Sequence, residues 1–413
     1  MNKSINYSNR KYLIISHNYW PAIGGAEKLL QSIAENLHKN DIYVDVLTSN
    51  AKNAAMYFSK KPEIVGSLKE KINGVWVTRV DIRNIFQFIS KVIWSLFRNK
   101  KVLINIEPIL IGPHFVMYVL KYIFSKKIYT HIICGPFPTS IPFYGYIIKL
   151  ISPKIKLIID PSLHVDDPMH TGKLLRFISK KADAILVRTE EETRLLRRWG
   201  IDHSKIFEIG VGVDDELIES NDLPQGNILP FDYYILYMGQ EVPHKNILTL
   251  INAMSNLWSV GVTANLVIAG ARTEYSKVID EEIKKLEFDY QKRIFRINNF
   301  NEKNKKSLLD NCQFLVLPSS RESFGIVFVE AWSRKKTVIG TNVAGIRFLI
   351  EDKKDGLLFN ENDIIDLQEK ILFLIKNKDL AIRMGQVGFS KVNEKYRWQS
   401  IINKILSIDS KLA

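Results

Sequence analysis

Phe314-Leu315-Val316-Leu317-Pro318-Ser319-Ser320-Arg321-Glu322-Ser323-Phe324-Gly325-Ile326-Val327-Phe328-Val329-Glu330-Ala331 decides how this chain folds. Its first four residues are continuously apolar, the mark of a parallel strand buried on both faces. Pro318 opens a short loop that carries Glu322. A helix is expected to start near Ser323, with Glu330 about two turns in. Glu322 then sits at the carboxyl end of a strand, free to accept hydrogen bonds. Glu330 falls on the apolar helix Phe324–Trp332, where a solvated charge is out of place and a carboxylate can accept two hydrogen bonds from a diol. The N–H groups at Phe324 and Gly325 precede the helical hydrogen-bond ladder and suit an anion. An N-terminal capping arrangement plus one half-buried glutamate is the plainer reading of the same residues.

The same alternation runs outward in both directions. Strands are expected at Tyr12–Ser16, Tyr43–Leu47, Val75–Val80, Tyr129–Ile133, Ile155–Ile159 and Ala184–Val187. In the second half they are expected at Tyr234–Met238, Asn265–Ala269, Ile294–Ile297, Phe314–Leu317 and Thr337–Gly340. Amphipathic segments separate them, such as Ala26–His38, with Leu29, Leu30, Ile33, Ala34 and Leu37 at helical spacing. Strands alternating with helices on this scale predict an α/β protein with parallel sheets. The pattern pauses at roughly Asp214–Asp232, a stretch holding Pro224, Gly226 and Pro230, so a linker is expected there. Two Rossmann-like domains facing each other across a cleft follow. In open parallel sheets ligands bind outside the carboxyl ends of the strands, which directs attention to the loops there. The first is His17-Asn18-Tyr19-Trp20-Pro21-Ala22-Ile23-Gly24-Gly25-Ala26, whose glycines and following helix could cradle an anion or form a plain turn.

The chain has 413 residues, too many for one compact core. Hydrophobic residues make up 46% and charged residues 25%, which leaves no room for a long disordered tail. Two cysteines, Cys134 and Cys312, make no disulfide framework and fit a reducing compartment. Met1–Arg10 has no apolar core of a signal peptide. The most lipid-like stretch, Val102–Phe124, is broken by Glu107, Pro108, Pro113, His114 and Lys121, and so reads as core or interface.

The net charge of +14 is uneven. Residues 1–200 carry 30 lysines and arginines against 15 aspartates and glutamates, and residues 201–413 carry 28 against 29. This points to an anionic partner for the first half, or to a solvated basic surface that serves solubility alone. An anionic membrane surface is one such partner. Nucleic acid is another, disfavoured because the chain has no recognisable nucleic-acid module and such binding would leave Glu322 and Glu330 without a role. Phe86, Phe88, Trp94 and Phe97 near Lys91, Arg98, Lys100 and Lys101 read either as an interfacial helix or as a helix packed on the sheet.

Glu322 and Glu330, separated by seven residues that include Ser-Phe-Gly, resemble the signature of glycosyltransferase family 4. The order of features on both sides is similar to that family. Gly24-Gly25 resembles its first glycine loop, Ala182–Val187 its strand before a Ser/Thr-led helix, and Gly210-Val211-Gly212-Val213-Asp214 its Asn-Gly-Val-Asp element. Tyr237-Met238-Gly239-Gln240-Glu241-Val242-Pro243-His244-Lys245-Asn246 resembles its Gly-Arg…Lys loop. Gly340–Ile346 and Asp355–Leu358 resemble its closing motifs, and Tyr396-Arg397-Trp398 the start of its last helix.

The resemblance implies a GT-B fold. The N-terminal acceptor-binding domain would take residues 1–215, the nucleotide-sugar-binding domain 216–395, and a helix from about 396 to 413 would pack back on the first. It implies a retaining, metal-independent hexosyltransferase with no cofactor, which moves a sugar from a nucleotide diphosphate sugar to a glycan or lipid-linked acceptor in cell-surface polysaccharide or glycoconjugate synthesis. The protein would be cytoplasmic or peripheral on the inner face of the cell membrane. Lys245 would contact the diphosphate, Glu322 the transferred sugar and Glu330 the ribose. Gly24, Gly25, Gly239, Gln240, Arg321, Phe324 and Gly325 would complete the donor site. His164, after the strand Ile155–Ile159, would lie near the reacting centre, with His131 and His170 as competitors. Gln240 stands where family members often carry arginine, so one cationic contact to the diphosphate would be missing or supplied elsewhere, by Arg321 or Arg272. A non-catalytic sugar-nucleotide-binding subunit is the alternative that the same residues allow.

Overall fold

The computed structural model describes residues 9–22, 24–97, 108–123, 129–163, 165, 167–219, 229–298 and 300–412. The chain divides into two compact units, Met1–Ile209 with Ile402–Ala413, and Gly210–Ile401. The first break falls at Ile209/Gly210, ahead of the expected 215/216. The chain rejoins the first unit at Ile402, within the helix Trp398–Leu406 and not at its start. Part of the expected linker is a short helix, Asp215–Glu219, while Pro224 and Gly226 lie outside the described residues.

The first unit is built on eight strands: β1 (Lys11–Ser16), β2 (Tyr43–Ser49), β3 (Lys69–Ile72), β4 (Val75–Val80), β5 (His131–Gly135), β6 (Lys156–Ile159), β7 (Ala184–Val187) and β8 (Ile206–Glu208). Their order across the sheet is β3-β4-β2-β1-β5-β6-β7-β8. All pairings are parallel except β3 with β4, a hairpin closed by Asn73-Gly74, both at positive φ. Parallel winding explains the composition. Leu13, Ile14, Ile15, Ile132, Ile133, Leu157, Ile158 and Ile159 are fully buried, because helices cover both faces of the central strands. The last helices complete this unit. Asp409 pairs with Arg10 at 2.9 Å and lies 3.0 Å from His131 Nε2, whose ring stacks on Tyr12 at 4.5 Å.

The second unit has six parallel strands: β9 (Tyr234–Met238), β10 (Leu266–Ala269), β11 (Ile294–Ile297), β12 (Cys312–Leu317), β13 (Thr337–Thr341) and β14 (Gly356–Phe359). Their order is β11-β10-β9-β12-β13-β14. This is the doubly wound Rossmann order, in which the winding reverses between β9 and β12. The two strands are in register at Phe314↔Ile235 and Leu315↔Leu236, so their carboxyl ends stop side by side. Among the described residues no helix is long and apolar enough to cross a membrane.

Candidate functional site

The reversal between β9 and β12 brings two loops together. After β9 the chain makes a short 3-10 turn, Pro243–Lys245, and Asn246 at φ 49° turns it into the helix Ile247–Ser259. After β12 it runs through Ser319–Gly325 into the helix Ile326–Ser333. The loops are joined backbone to backbone, with Ser320 N–H donating to the His244 carbonyl at 2.9 Å. Side chains follow. Lys245 Nζ and Glu322 Oε1 form an ion pair, with side chains only 18% and 12% exposed. The fully buried Ser319 donates its hydroxyl to the same oxygen at 3.1 Å. The structure thus brings Lys245 and Glu322 together at strand ends, largely screened from water, where a charge pair acts strongly.

Gly239 and Gln240 form the bend out of β9. Gly239 N–H donates to Ala269 O at 2.9 Å, and the Gln240 carbonyl accepts from the buried Tyr237 hydroxyl at 3.0 Å. Burial pushes the Tyr237 hydroxyl well above its ordinary range, and the charges of Glu322 and Glu241 push it further, so it stays a neutral donor. The Gln240 and Arg321 side chains face solvent. Arg272 is bound to Asp280, which already holds Arg296, so Arg272 is committed elsewhere.

The helix begins at Ile326, three residues later than expected from the sequence. Gly325 is its N-cap at φ 80°, a left-handed conformation that ends the helix on its N-terminal side. Ser323 and Phe324 form a bend. The first-turn N–H groups are therefore those of Ile326, Val327 and Phe328, and not those of Phe324 and Gly325. Phe324 is buried, edge-on to Tyr396 at 5.6 Å. Glu330 is paired with Lys305 of the helix Glu302–Asn311 at 2.8 Å, which explains how a carboxylate stands on this apolar helix.

Sequence reasoning missed the layer beneath. Glu241, fully buried, is gripped by Arg296 of β11 through two hydrogen bonds, and its backbone carbonyl accepts from Thr273. An arginine inside the otherwise apolar β11 was the signal for a buried acid partner. Gly345 was quoted only as part of a motif. It stands at φ 80°, and a Cβ there would lie 2.3 Å from the Glu322 carbonyl oxygen. Its loop thus backs the glutamate directly.

Gly24 and Gly25 belong to the first unit, at its own winding reversal between β1 and β5. The Glu27 carboxylate lies over Gly24, 2.1 Å from where a Cβ would stand, and pairs with His17 Nε2 at 2.9 Å. Burial pushes this carboxyl up, but the hydrogen bond and charge of His17 outweigh it and hold the group below its ordinary value. The chain itself thus places an anion at this helix start. His131 is buried against Asp409, a structural position. His164 lies outside the described residues, as do Arg98, Lys100 and Lys101. The described ends of β6 and β7 hold a buried cluster. Arg188 pairs with Asp160, and its Nε and Nη1 have no partner among the described residues. Glu192 accepts from the backbone N–H groups of Leu163 at 3.0 Å, Thr189 at 3.0 Å and Arg188. Burial nevertheless pushes its carboxyl up to about 7. Among the described residues no group of three or more His, Cys, Asp or Glu is placed to hold a metal ion.

Comparison with known proteins places these features. Residues 220–391 match the family described as glycosyl transferases group 1. The chain is 30% identical over 182 residues to an uncharacterized glycosyltransferase of Methanocaldococcus jannaschii, covering 43% of this chain and 48% of that protein. It is 28% identical over 207 residues to the capsular polysaccharide biosynthesis glycosyltransferase CapM of Staphylococcus aureus, covering 48% and 52%. The chain thus spans about half the length of these relatives. Among solved structures, sucrose-phosphate synthase of Thermosynechococcus elongatus superposes with a TM-score of 0.71 at 17% identity, covering 98% and 99% of the two chains. HepE of Anabaena, in complex with UDP and glucose, gives 0.72 at 16% identity, covering 97% and 99%. These likenesses establish the GT-B fold.

Two outcomes are expected. Gly345→Ala adds a side chain where both φ and the Glu322 carbonyl forbid one, and it should cost about 1–3 kcal/mol in chemical denaturation of the second unit. Glu192 has a folded pKa above its ordinary 4.5. Its contribution to stability is therefore full below about 4.5 and lost as pH rises through about 7. Urea unfolding at about pH 5 and about pH 8 should show a larger difference in the native chain than in Glu192→Gln; equal differences would remove this assignment.

Proposed function

We propose that this chain, whose residues 220–391 match the family described as glycosyl transferases group 1, moves a sugar from a nucleotide diphosphate sugar to a glycan or lipid-linked acceptor, with retention of anomeric configuration. The observation that carries the reading is the Lys245–Glu322 pair at the β9/β12 reversal, beside a helix N-terminus.

Each group has a task there. A departing diphosphate gains charge as the sugar–phosphate bond breaks. Lys245 and the first-turn N–H groups of Ile326 and Val327 would carry that charge, so the reading calls for no cofactor and no metal. Glu322, held by Ser319 and by Lys245, would accept hydrogen bonds from the hydroxyls of the transferred sugar. Glu330 would accept from the ribose diol, with Lys305 holding it in place. Donor binding would thus exchange partners, because the diphosphate takes over part of Lys245 and leaves Glu322 to the sugar. The leaving phosphate then stands on the face from which the acceptor hydroxyl approaches and can take its proton. Gly239, Gln240 and Arg321 would line the donor from the two loops, Phe324 and Gly325 would shape the turn under it, and Gly24, Gly25 and His164 would belong to the first unit's share of the reaction.

The relatives support the substrate classes. CapM is named for capsular polysaccharide biosynthesis, and HepE has been solved with UDP and with UDP-glucose. A non-catalytic nucleotide-sugar-binding subunit would hold the same donor without turning it over.

Release of nucleoside diphosphate from a panel of sugar nucleotides tests the reading. One donor should be turned over, and Lys245→Ala and Glu322→Ala should each lower kcat/KM by ~10²–10³. Binding of a donor without turnover would favour the subunit, and near-native rates in both variants would sink the site assignment.

A further inference from the structure

The helix Ile85–Phe97 is turned inside out. Ile85, Phe88, Ile89, Val92 and Leu96 are 63%, 62%, 46%, 42% and 67% exposed. Their spacing puts them on a single stripe along one face. The opposite face holds the polar residues. Gln87 and Ser90 are buried, and Ser90 Oγ lies 2.6 Å from His114 Nε2, whose Nδ1 lies 2.9 Å from the Tyr144 hydroxyl. Trp94 packs on Phe58 at 5.1 Å, and Lys91 Nζ donates to the Ser59 carbonyl at 3.0 Å. These contacts fix the rotation of the helix, so the apolar stripe is presented to the outside by design of the packing. An ordinary surface helix shows the reverse.

We propose that this stripe is a docking surface for a lipid bilayer that carries anionic headgroups. Charge chooses the occupant. The helix has no acidic residue. Lys60 and Lys61, both exposed, follow directly on Ser59, whose carbonyl Lys91 of the helix holds. An exposed apolar stripe on a helix without acids, in a unit with a large basic excess, is what an interfacial helix needs to seat its side chains among acyl chains while cations of the unit meet headgroup phosphates. A second copy of the chain is disfavoured, because self-pairing would bring two copies of the strongly basic first half together. The basic excess of residues 1–200 extends the attraction beyond the contact itself. The inference stands independently of the sugar-transfer reading.

Vesicle flotation of the full chain tests it, comparing phosphatidylcholine alone with phosphatidylcholine containing phosphatidylglycerol. The native chain should float with the anionic vesicles at low salt. Phe88→Glu with Leu96→Glu changes only exposed side chains and should leave the thermal melt unmoved while lowering vesicle-bound protein by roughly tenfold or more. Lys60→Glu with Lys61→Glu should lower binding to the anionic vesicles while leaving binding to the neutral ones as it was. A native chain that stays unbound overturns the proposal, as does a Phe88/Leu96 variant that floats equally well. A native dimer in sedimentation velocity that the same variant dissolves would assign the face to a second copy instead.

Discussion

A parallel sheet that winds outward in both directions from one strand must leave its two central strands with loops that part to opposite faces, and the ends between them stay open. In the second unit those strands are β9 and β12. Everything placed at its candidate site follows from that constraint. The residues Lys245 and Glu322 lie far apart along the chain, yet each is a few positions past the end of one of the two central strands. Their loops then need only the Ser320–His244 hydrogen bond to fix the approach. The ion pair is a result of topology first and of side-chain chemistry second.

The first unit obeys the same rule and uses it differently. Its reversal lies between β1 and β5, and the loop after β1 leads through Gly24 into a helix. There the helix start is already answered by Glu27, held by His17. The second unit has no acidic residue in the first turn of either helix that follows its two central strands, at Ile247 or at Ile326. Two sheets of one architecture therefore differ in what their open ends can receive.

Much of this was legible in the residues because parallel strands buried on both faces read as unbroken apolar runs. Leu13–Ile15, Ile132–Ile133 and Leu236–Met238 could scarcely be anything else. Three strands escaped notice: β14, Gly-Leu-Leu-Phe, is a short apolar run that was read only as part of a motif, and the other two lack such a run. β3, Lys-Glu-Lys-Ile, is an exposed edge strand, recognisable only from the Asn73-Gly74 turn that pairs it with β4. β8 has three residues, too few for a pattern. Site residues were legible where a charge interrupted an apolar element, as Glu330 does, but its partner Lys305 was not, since a lysine on a polar helix carries no mark of what it faces. The start of the helix was misplaced because Gly325 looks equally good inside a first turn and as its cap, and only its backbone angle decides. Gly345 was legible as a motif, while its contact with Glu322 depends on how β13 lies beside β12.

The return of the chain to the first unit sets the order in which the molecule can be made. Ile402, Ile405, Leu406 and Ile408 are buried, and Asp409 ties down Arg10 and His131. The sheet they finish is translated before the second unit begins, but these covering residues emerge only after that unit has been translated whole. A ribosome carrying this chain therefore holds an early sheet with one flank still bare while a later one closes, and the older half is sealed last.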